Sequence, residues 1–285
     1  MTWEETIQMI RKDSDYLDLV EKAYFDEDLP LNIERFAGSD EFQETLKIVN
    51  QYQGNGKTIL DIGSGNGVSA VNFARKGYVV TAVEPDTSET VGAGAIELLK
   101  KHYDLENLTV HSAFAEDINF ESNSFDVVYI RQAMHHANDL EAFMRESVRV
   151  LKPGGLLLTV RDHVIYDEHD KAWFLEAHPL HKFYGGENAY TAPTYKNAIE
   201  KAGAEVVREL KYYDSVINYF PVTSGELIKQ SAANKNSIKK NLKRKLGIIA
   251  KFPFVFNLYC WAKRIAILDE KQIPGRMYSY IAIKR

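Results

Sequence analysis

The chain has 285 residues, 45% hydrophobic and 26% charged, the composition of a folded globular protein of one large or two modest domains; a fibrous repeat or a disordered tail is excluded. A single cysteine, Cys260, excludes an intrachain disulfide and a thiolate metal cluster and suits a reducing, cytoplasmic setting. The net charge of −5 is unevenly spread: residues 220–285 hold fourteen Lys and Arg against three acids, and residues 1–219 hold twenty-one against thirty-seven, a segregation that points to an interaction surface.

The opening MTWEETIQMIRK has no apolar core of signal-peptide length, and the longest apolar run, residues 252–261, is interrupted by Asn257 and too short to span a bilayer. Neither export nor a transmembrane anchor is expected. Apolar positions at helical spacing (Tyr16, Leu17, Val20; Phe42, Leu46, Val49) predict two or three helices before the breakers Gly54-Asn55-Gly56, an N-terminal helical cap over residues 1–56. From Lys57 the pattern changes to short apolar runs, TILDIG, VVTAVE, LTVHSA, FDVVYI and GLLLTV, with helical stretches at 68–76, 88–102 and 140–151 between them. Runs of that length without strict alternation read as strands buried on both faces, and repeated β-α units give a parallel sheet. Residues 161–190 have no clean period and read as a loop or lid. A helix follows at 191–202, a sixth strand at 204–212, and a seventh, at or near an edge, at 276–284. The fold class expected is α/β: a Rossmann-like, seven-stranded, mostly parallel sheet with helices on both faces. Its core spans 57–219 and 272–285, and a basic, aromatic insertion at 220–271 precedes the last strand. There is no internal repeat.

The sharpest local signal is Asp61-Ile-Gly63-Ser64-Gly65-Asn-Gly67, at the end of one predicted strand and the start of a helix. Glycines there let the backbone turn tightly and approach a ligand, with helix N-terminal amides facing it. The dinucleotide fingerprint wants a third glycine where Val68 stands, and a carboxylate at Asp61 would repel a pyrophosphate. It suits a cationic amine instead, while Glu84, closing the second strand, is placed to hold ribose hydroxyls. A nucleoside with an amino-acid end satisfies both acids.

With Asp61–Gly67, Glu84, the strand Ser124-Phe125-Asp126-Val127-Val128, the His135-His136 pair and Arg149-Val-Leu-Lys-Pro-Gly-Gly155 in this order, the chain resembles the class I S-adenosylmethionine-dependent methyltransferases, in particular their small-molecule and ubiquinone-pathway group. The resemblance is strong over residues 57–160 and looser to 212. It implies S-adenosylmethionine as cofactor, with Asp61, Gly63, Ser64 and Gly65 around its methionine moiety, Glu84 on the ribose, and Pro85 and Asp86 near the adenosine. Phe114 stands where relatives commonly carry an Asp, with Ala115 at an adenine-contacting backbone position; either Glu116 or Asp117 substitutes for that Asp, or Phe114 stacks on the base or packs in the core. Arg131 is carried with the same cofactor set.

A hydroxyl or ammonium acceptor must lose a proton, and a His or carboxylate near the carboxyl ends of the strands can take it. His163, beside Asp162 after the fifth strand, is the first candidate general base and His135 the second, against the alternative that they cap or pack. His169, His178 and His181 with Asp167, Glu168 and Glu176 could be imagined as a metal site, but Pro179 breaks the helix that would align them, and no metal is expected. The resemblance implies methyl transfer to an O or N atom of a small-molecule, glycan or lipid-linked acceptor. An RNA methyltransferase and a non-catalytic cofactor-binding subunit are the alternatives. The insertion reads as a substrate lid, as a surface lying peripherally on an anionic membrane, or, ranked last, as a nucleic-acid contact.

Overall fold

The computed structural model describes residues 1–285, the side chains of Ala250, Lys251 and Pro253 excepted. Eight strands form the sheet: β1 Thr58–Ile62, β2 Val79–Val83, β3 Leu108–His111, β4 Phe125–Arg131, β5 Leu151–Ile165, β6 Tyr190–Thr191, β7 Ala204–Leu210 and β8 Met277–Lys284. Seven run in the order β3-β2-β1-β4-β5-β8-β7, and the two-residue β6 pairs with the far end of β5. All pairings are parallel except those of β8, which lies antiparallel between β5 and β7. The Rossmann-like, mostly parallel α/β fold expected from the sequence is therefore present, with one short strand added.

The last strand lies near an edge, as expected: it is the penultimate strand, and the edge itself is β7. Its polar positions alternate with apolar ones because they face buried partners, not water: Ser279 is fully buried and donates to Asn218 Oδ1 at 2.5 Å.

Side-chain alternation splits the core into two layers. On one face Ile59, Val127, Tyr129, Leu156 and Leu158 meet the helices Val68–Arg75, Ala93–His102, Leu29–Ala37 and Asp40–Gln53. On the other, Leu60, Ile62, Val128, Ile130 and Leu157 meet Leu140–Val150 and Ala192–Lys201. Every strand of the central four is thus covered twice, which is why its sequence reads as an unbroken apolar run. Asp126 ties the bottom of the sheet together: it accepts from the backbone N–H of Lys57 and Thr58 and from Lys152 Nζ, at 2.9, 3.0 and 2.7 Å.

The stretch after Val160 is more ordered than its sequence indicates. β5 continues to Ile165, and a helix, Glu168–Ala177, follows, capped by Asp167. Only Asp170 and Phe174 of that helix are buried, so it has no apolar stripe to read. A bulge lets β5 run on: between Thr159 and Asp162 the register against β8 shifts, and Arg161 takes φ +64°. In the insertion, the 23-residue helix Ser224–Leu246 buries only Leu242, packed with Val255 and Phe256 of the helix Pro253–Ala262. Among the described residues no helix is long and apolar enough to cross a membrane.

Candidate functional site

The chain order reverses between β1 and β4, and a cavity of about 840 Å³ opens beyond the carboxyl ends of these strands. The loop after β1 forms one end of it. Gly63, Gly65 and Gly67 have φ of +70°, +54° and +85°. A Cβ on Gly63 would stand 2.6 Å from that of Ala133, so both the turn and the close approach of two strand-end loops require glycine. Ser64 Oγ donates to the Asp61 carbonyl at 2.8 Å, which tightens the turn.

Asp61 lines the cavity with 1% of its surface exposed, and neither carboxylate oxygen has a hydrogen-bond partner. Burial pushes its pKa up to about 7; the nearby Arg131, the Ala70 N–H and Ser64 oppose the rise and Glu84 adds to it. Glu84 is held rigidly at the end of β2: Oε2 accepts from Gly65 N–H at 2.8 Å and Oε1 from Asp86 N–H at 3.0 Å. Burial raises its pKa as well. Pro85, Asp86, Phe114 and Ala115 line the same end. Phe114 is 64% exposed, which removes the core-packing alternative and leaves a ring face open at the cavity wall.

Arg131 also borders the cavity, but its guanidinium is engaged elsewhere. It forms a bidentate pair with Glu41, at 2.7 and 3.1 Å, and lies over the rings of Phe36 and Tyr24. Glu41 is fully buried and also sits 3.7 Å from Arg161, whose Nη1 donates to the carbonyls of Ile217 and Phe220 at 2.7 and 2.9 Å. The two guanidinium groups hold Glu41 below the usual carboxylate range although burial works the other way. Glu41 did not stand out in the sequence. The signal was there: with Thr45 and Ile48 it lies on the buried stripe of Asp40–Gln53, where an acid needs a partner.

The opposite end of the cavity gathers histidines. His135 lies in the short turn Met134–His136 after β4, and His163 on β5 past the bulge. Asp162 Oδ1 accepts from the His135 backbone at 3.2 Å and contacts its Nδ1 at 3.0 Å. His135 Nε2 stands 3.5 Å from Glu187 Oε2. Burial opposes protonation of His135, yet Asp162 and Glu187 raise its pKa to about 9. His163 is the reverse: burial and the neighbouring His135 lower it to about 3, and its Nδ1–H donates to the Gly275 carbonyl at 2.6 Å. Its ring is therefore neutral, with Nε2 bearing a lone pair. Tyr184 donates its hydroxyl to Glu187 Oε1, and His178 Nε2 lies 3.7 Å from the same oxygen.

The three residues singled out as candidate proton carriers, His163, His135 and Asp162, thus converge. Of the other histidines only His136 and His178 reach the cavity wall; His169 and His181 do not. Glu187 and Gly275 were missed, since nothing local marks a loop residue that reaches its partners only through the fold. Among the described residues, 222–272 add nothing to these walls.

Residues 60–159 match the family model described as a methyltransferase domain. The ubiquinone/menaquinone biosynthesis C-methyltransferase of Idiomarina loihiensis is 34% identical over 107 residues, 36% of this chain and 41% of the relative. The ubiquinone biosynthesis O-methyltransferase of a Bradyrhizobium strain is 30% identical over 130 residues, 46% of this chain and 49% of the relative. The chain spans less than half the length of the curated relatives it matches. Among solved structures, phosphoethanolamine N-methyltransferase 2 of Haemonchus contortus, in complex with S-adenosyl-L-methionine, aligns with a TM-score of 0.54 at 20% identity, over 95% of this chain and 60% of that one. At that identity the likeness is one of fold.

Proposed function

We propose that this chain, whose residues 60–159 form a class I S-adenosylmethionine-dependent methyltransferase domain, moves a methyl group from S-adenosylmethionine to an oxygen or nitrogen atom of a small-molecule, glycan or lipid-linked acceptor. One observation carries the reading: Asp61, buried and facing the cavity, has both carboxylate oxygens without a partner. An orphaned buried carboxylate is costly to keep unless a ligand cation completes it. The α-ammonium of the cofactor supplies that cation. Glu84, fixed by two backbone N–H groups, fits the ribose hydroxyls, and Pro85, Asp86, Phe114 and Ala115 fit the adenosine. Arg131 serves this end by holding Glu41 and the wall behind it.

Bound there, S-adenosylmethionine supplies an electrophilic methyl group. The chain's own share is to position the acceptor and exclude water, which is where much of the acceleration of such a displacement lies. At the far end His163 Nε2 offers a lone pair to an acceptor O–H, because its other nitrogen is committed to Gly275. His135, oriented by Asp162 through Nδ1, presents Nε2 beside Glu187 to the same space. A wall of imidazoles, a carboxylate and Tyr184 suits a hydroxylated acceptor better than an apolar one. The relatives carry both C- and O-methyltransferase names, so the choice of oxygen or nitrogen rests on this wall.

The RNA reading loses support, since cations of the helix Ser224–Leu246 lie off the cavity walls. A membrane-associated acceptor keeps it: Ile248, Ile249, Phe252, Phe254, Leu258 and Trp261 are all exposed just after that basic helix. The cofactor reading is tested by calorimetry with S-adenosylhomocysteine. The wild type should bind one equivalent, and Asp61→Asn should bind about 10- to 100-fold more weakly, the worth of one charge-assisted hydrogen bond. Equal affinity in the two proteins removes Asp61 from the site.

A further inference from the structure

We infer that His135, His163 and Glu187 form a binding site for one divalent transition-metal ion, with an open coordination position facing the acceptor end of the cavity. The three residues come from three separate elements: the turn after β4, β5 beyond its bulge, and the loop before β6. One ligand atom from each lies within 4.8 Å of the others. This is a different set from the His169, His178 and His181 cluster weighed in the sequence.

The proton inventory sets this cluster apart from an ordinary polar network. Nδ1 of His135 is held by the Asp162 carboxylate at 3.0 Å, and Nδ1 of His163 by the Gly275 carbonyl at 2.6 Å. Nε2 is therefore the nitrogen each ring has left for a ligand; that of His135 stands 3.5 Å from Glu187 Oε2, and a metal ion binding between them displaces any proton the pair shares. A carboxylate or backbone carbonyl on the far nitrogen is the support that metal-bound imidazoles almost always have, fixing the tautomer and the ring orientation. The Gly275 carbonyl reaches His163 only because residue 275 is glycine: its φ is +57°, and a Cβ would lie 2.0 Å from the Phe174 ring. Glu187 completes the set. Its Oε1 accepts from Tyr184, while Oε2 makes no closer contact than the 3.5 Å to His135 Nε2 and is the oxygen available to a metal.

One of the three ligand distances is already close to that of a filled site. Ligands about 2.1 Å from a tetrahedral or octahedral centre are about 3.0–3.4 Å from one another, and His135 Nε2 and Glu187 Oε2 are already at 3.5 Å. The remaining closure falls to His163. Two imidazoles and one carboxylate select zinc, iron, cobalt or manganese over calcium or magnesium. All three ligands line the cavity, so a fourth position opens into it. With metal bound, the His163 Nε2 lone pair is on the ion and no longer meets an acceptor O–H directly; that the acceptor hydroxyl occupies the open position instead rests on the methyl-transfer reading, and the metal site itself does not.

Cobalt(II) titration of the apoprotein, free of any polyhistidine tag, tests the site by visible absorption and calorimetry. The wild type should take up one equivalent with d–d bands of a nitrogen and oxygen ligand set. His163→Ala and Glu187→Gln should each lose those bands and at least tenfold in affinity. Asp162→Asn, which removes only the support of His135, should weaken binding by about 10- to 100-fold. S-adenosylhomocysteine affinity, measured in every variant, reports folding and should stay at the wild-type value in Glu187→Gln, whose side chain is isosteric. No cobalt uptake by the wild type, or uptake that Glu187→Gln and His163→Ala both retain, overturns the metal site. Cobalt binding in a protein that ignores S-adenosylhomocysteine would instead uphold the metal site and overturn the cofactor reading.

Discussion

If Asp61 binds the cofactor as proposed, ligand binding and folding pull on it in opposite directions. Its carboxylate is fully buried without a hydrogen bond, and its pKa in the folded chain, about 7, exceeds the ordinary value of 3.8. The folded state therefore holds this proton more tightly than the unfolded chain does. The contribution to stability is fully present below about pH 4 and is lost as pH rises through about 7. Urea denaturation of the ligand-free protein between pH 4 and 8 should show that decline in the wild type, and Asp61→Asn should flatten it and be the more stable protein at pH 8. S-adenosylhomocysteine affinity should move the other way, increasing as pH passes through 7, because only the charged carboxylate pairs with an ammonium. An Asn variant less stable than wild type at pH 8 would mean that Asp61 has a partner within the fold.

Asp61 and Glu84 were legible in the sequence because each ends a strand whose apolar run announces it. Glu41 and Glu187 were not. Their function depends on contacts with Arg131 and His135, separated from them by long stretches of chain, and no local pattern encodes such a meeting. No local pattern separates a stacking from a packing role for Phe114; its exposure removes the packing one.

At the scale of elements, β1 to β5 and the helices between them follow from short local runs, and the sequence reading placed them in order. β8 falls near an edge as its alternation indicates, but its antiparallel insertion between β5 and β7 is set by non-local pairing that no local pattern encodes. The bulge in β5 was invisible for the same reason, yet it carries the strand on from Arg161 to His163 at the cavity. The turn from β1 into the helix Val68–Arg75 is the most constrained junction. Gly63→Ala puts a methyl group at φ +70°, 2.6 Å from Ala133 Cβ. The expected cost is about 1–3 kcal/mol of stability, with at least tenfold weaker S-adenosylhomocysteine binding as the two loops part. Thermal unfolding and calorimetry read both, and an unchanged affinity would show that the loop tolerates displacement without disturbing the site.

The whole molecule separates its charge by function. The acidic portion carries most of the cavity, and, among the described residues, the basic stretch 222–272 between β7 and β8 adds nothing to its walls. Exposed aromatic and aliphatic side chains from Leu246 to Trp261 adjoin Lys239, Lys240, Lys243, Arg244 and Lys245, a pairing that fits an anionic bilayer surface. Co-sedimentation with phosphatidylserine vesicles should be strong at low salt, fall as salt is raised, and weaken in a Phe254→Ala, Trp261→Ala double variant. Absence of binding at low salt rules the membrane surface out.

The domain and the acceptor reading meet in one measurement. S-adenosylmethionine labelled in its methyl group is incubated with the protein and fractionated cell extract, lipid fractions included, alongside Asp61→Asn. Label should pass to one fraction with the wild type and be strongly reduced with the variant. Cofactor binding without transfer to any fraction would contradict a methyltransferase and leave a protein that only binds S-adenosylmethionine.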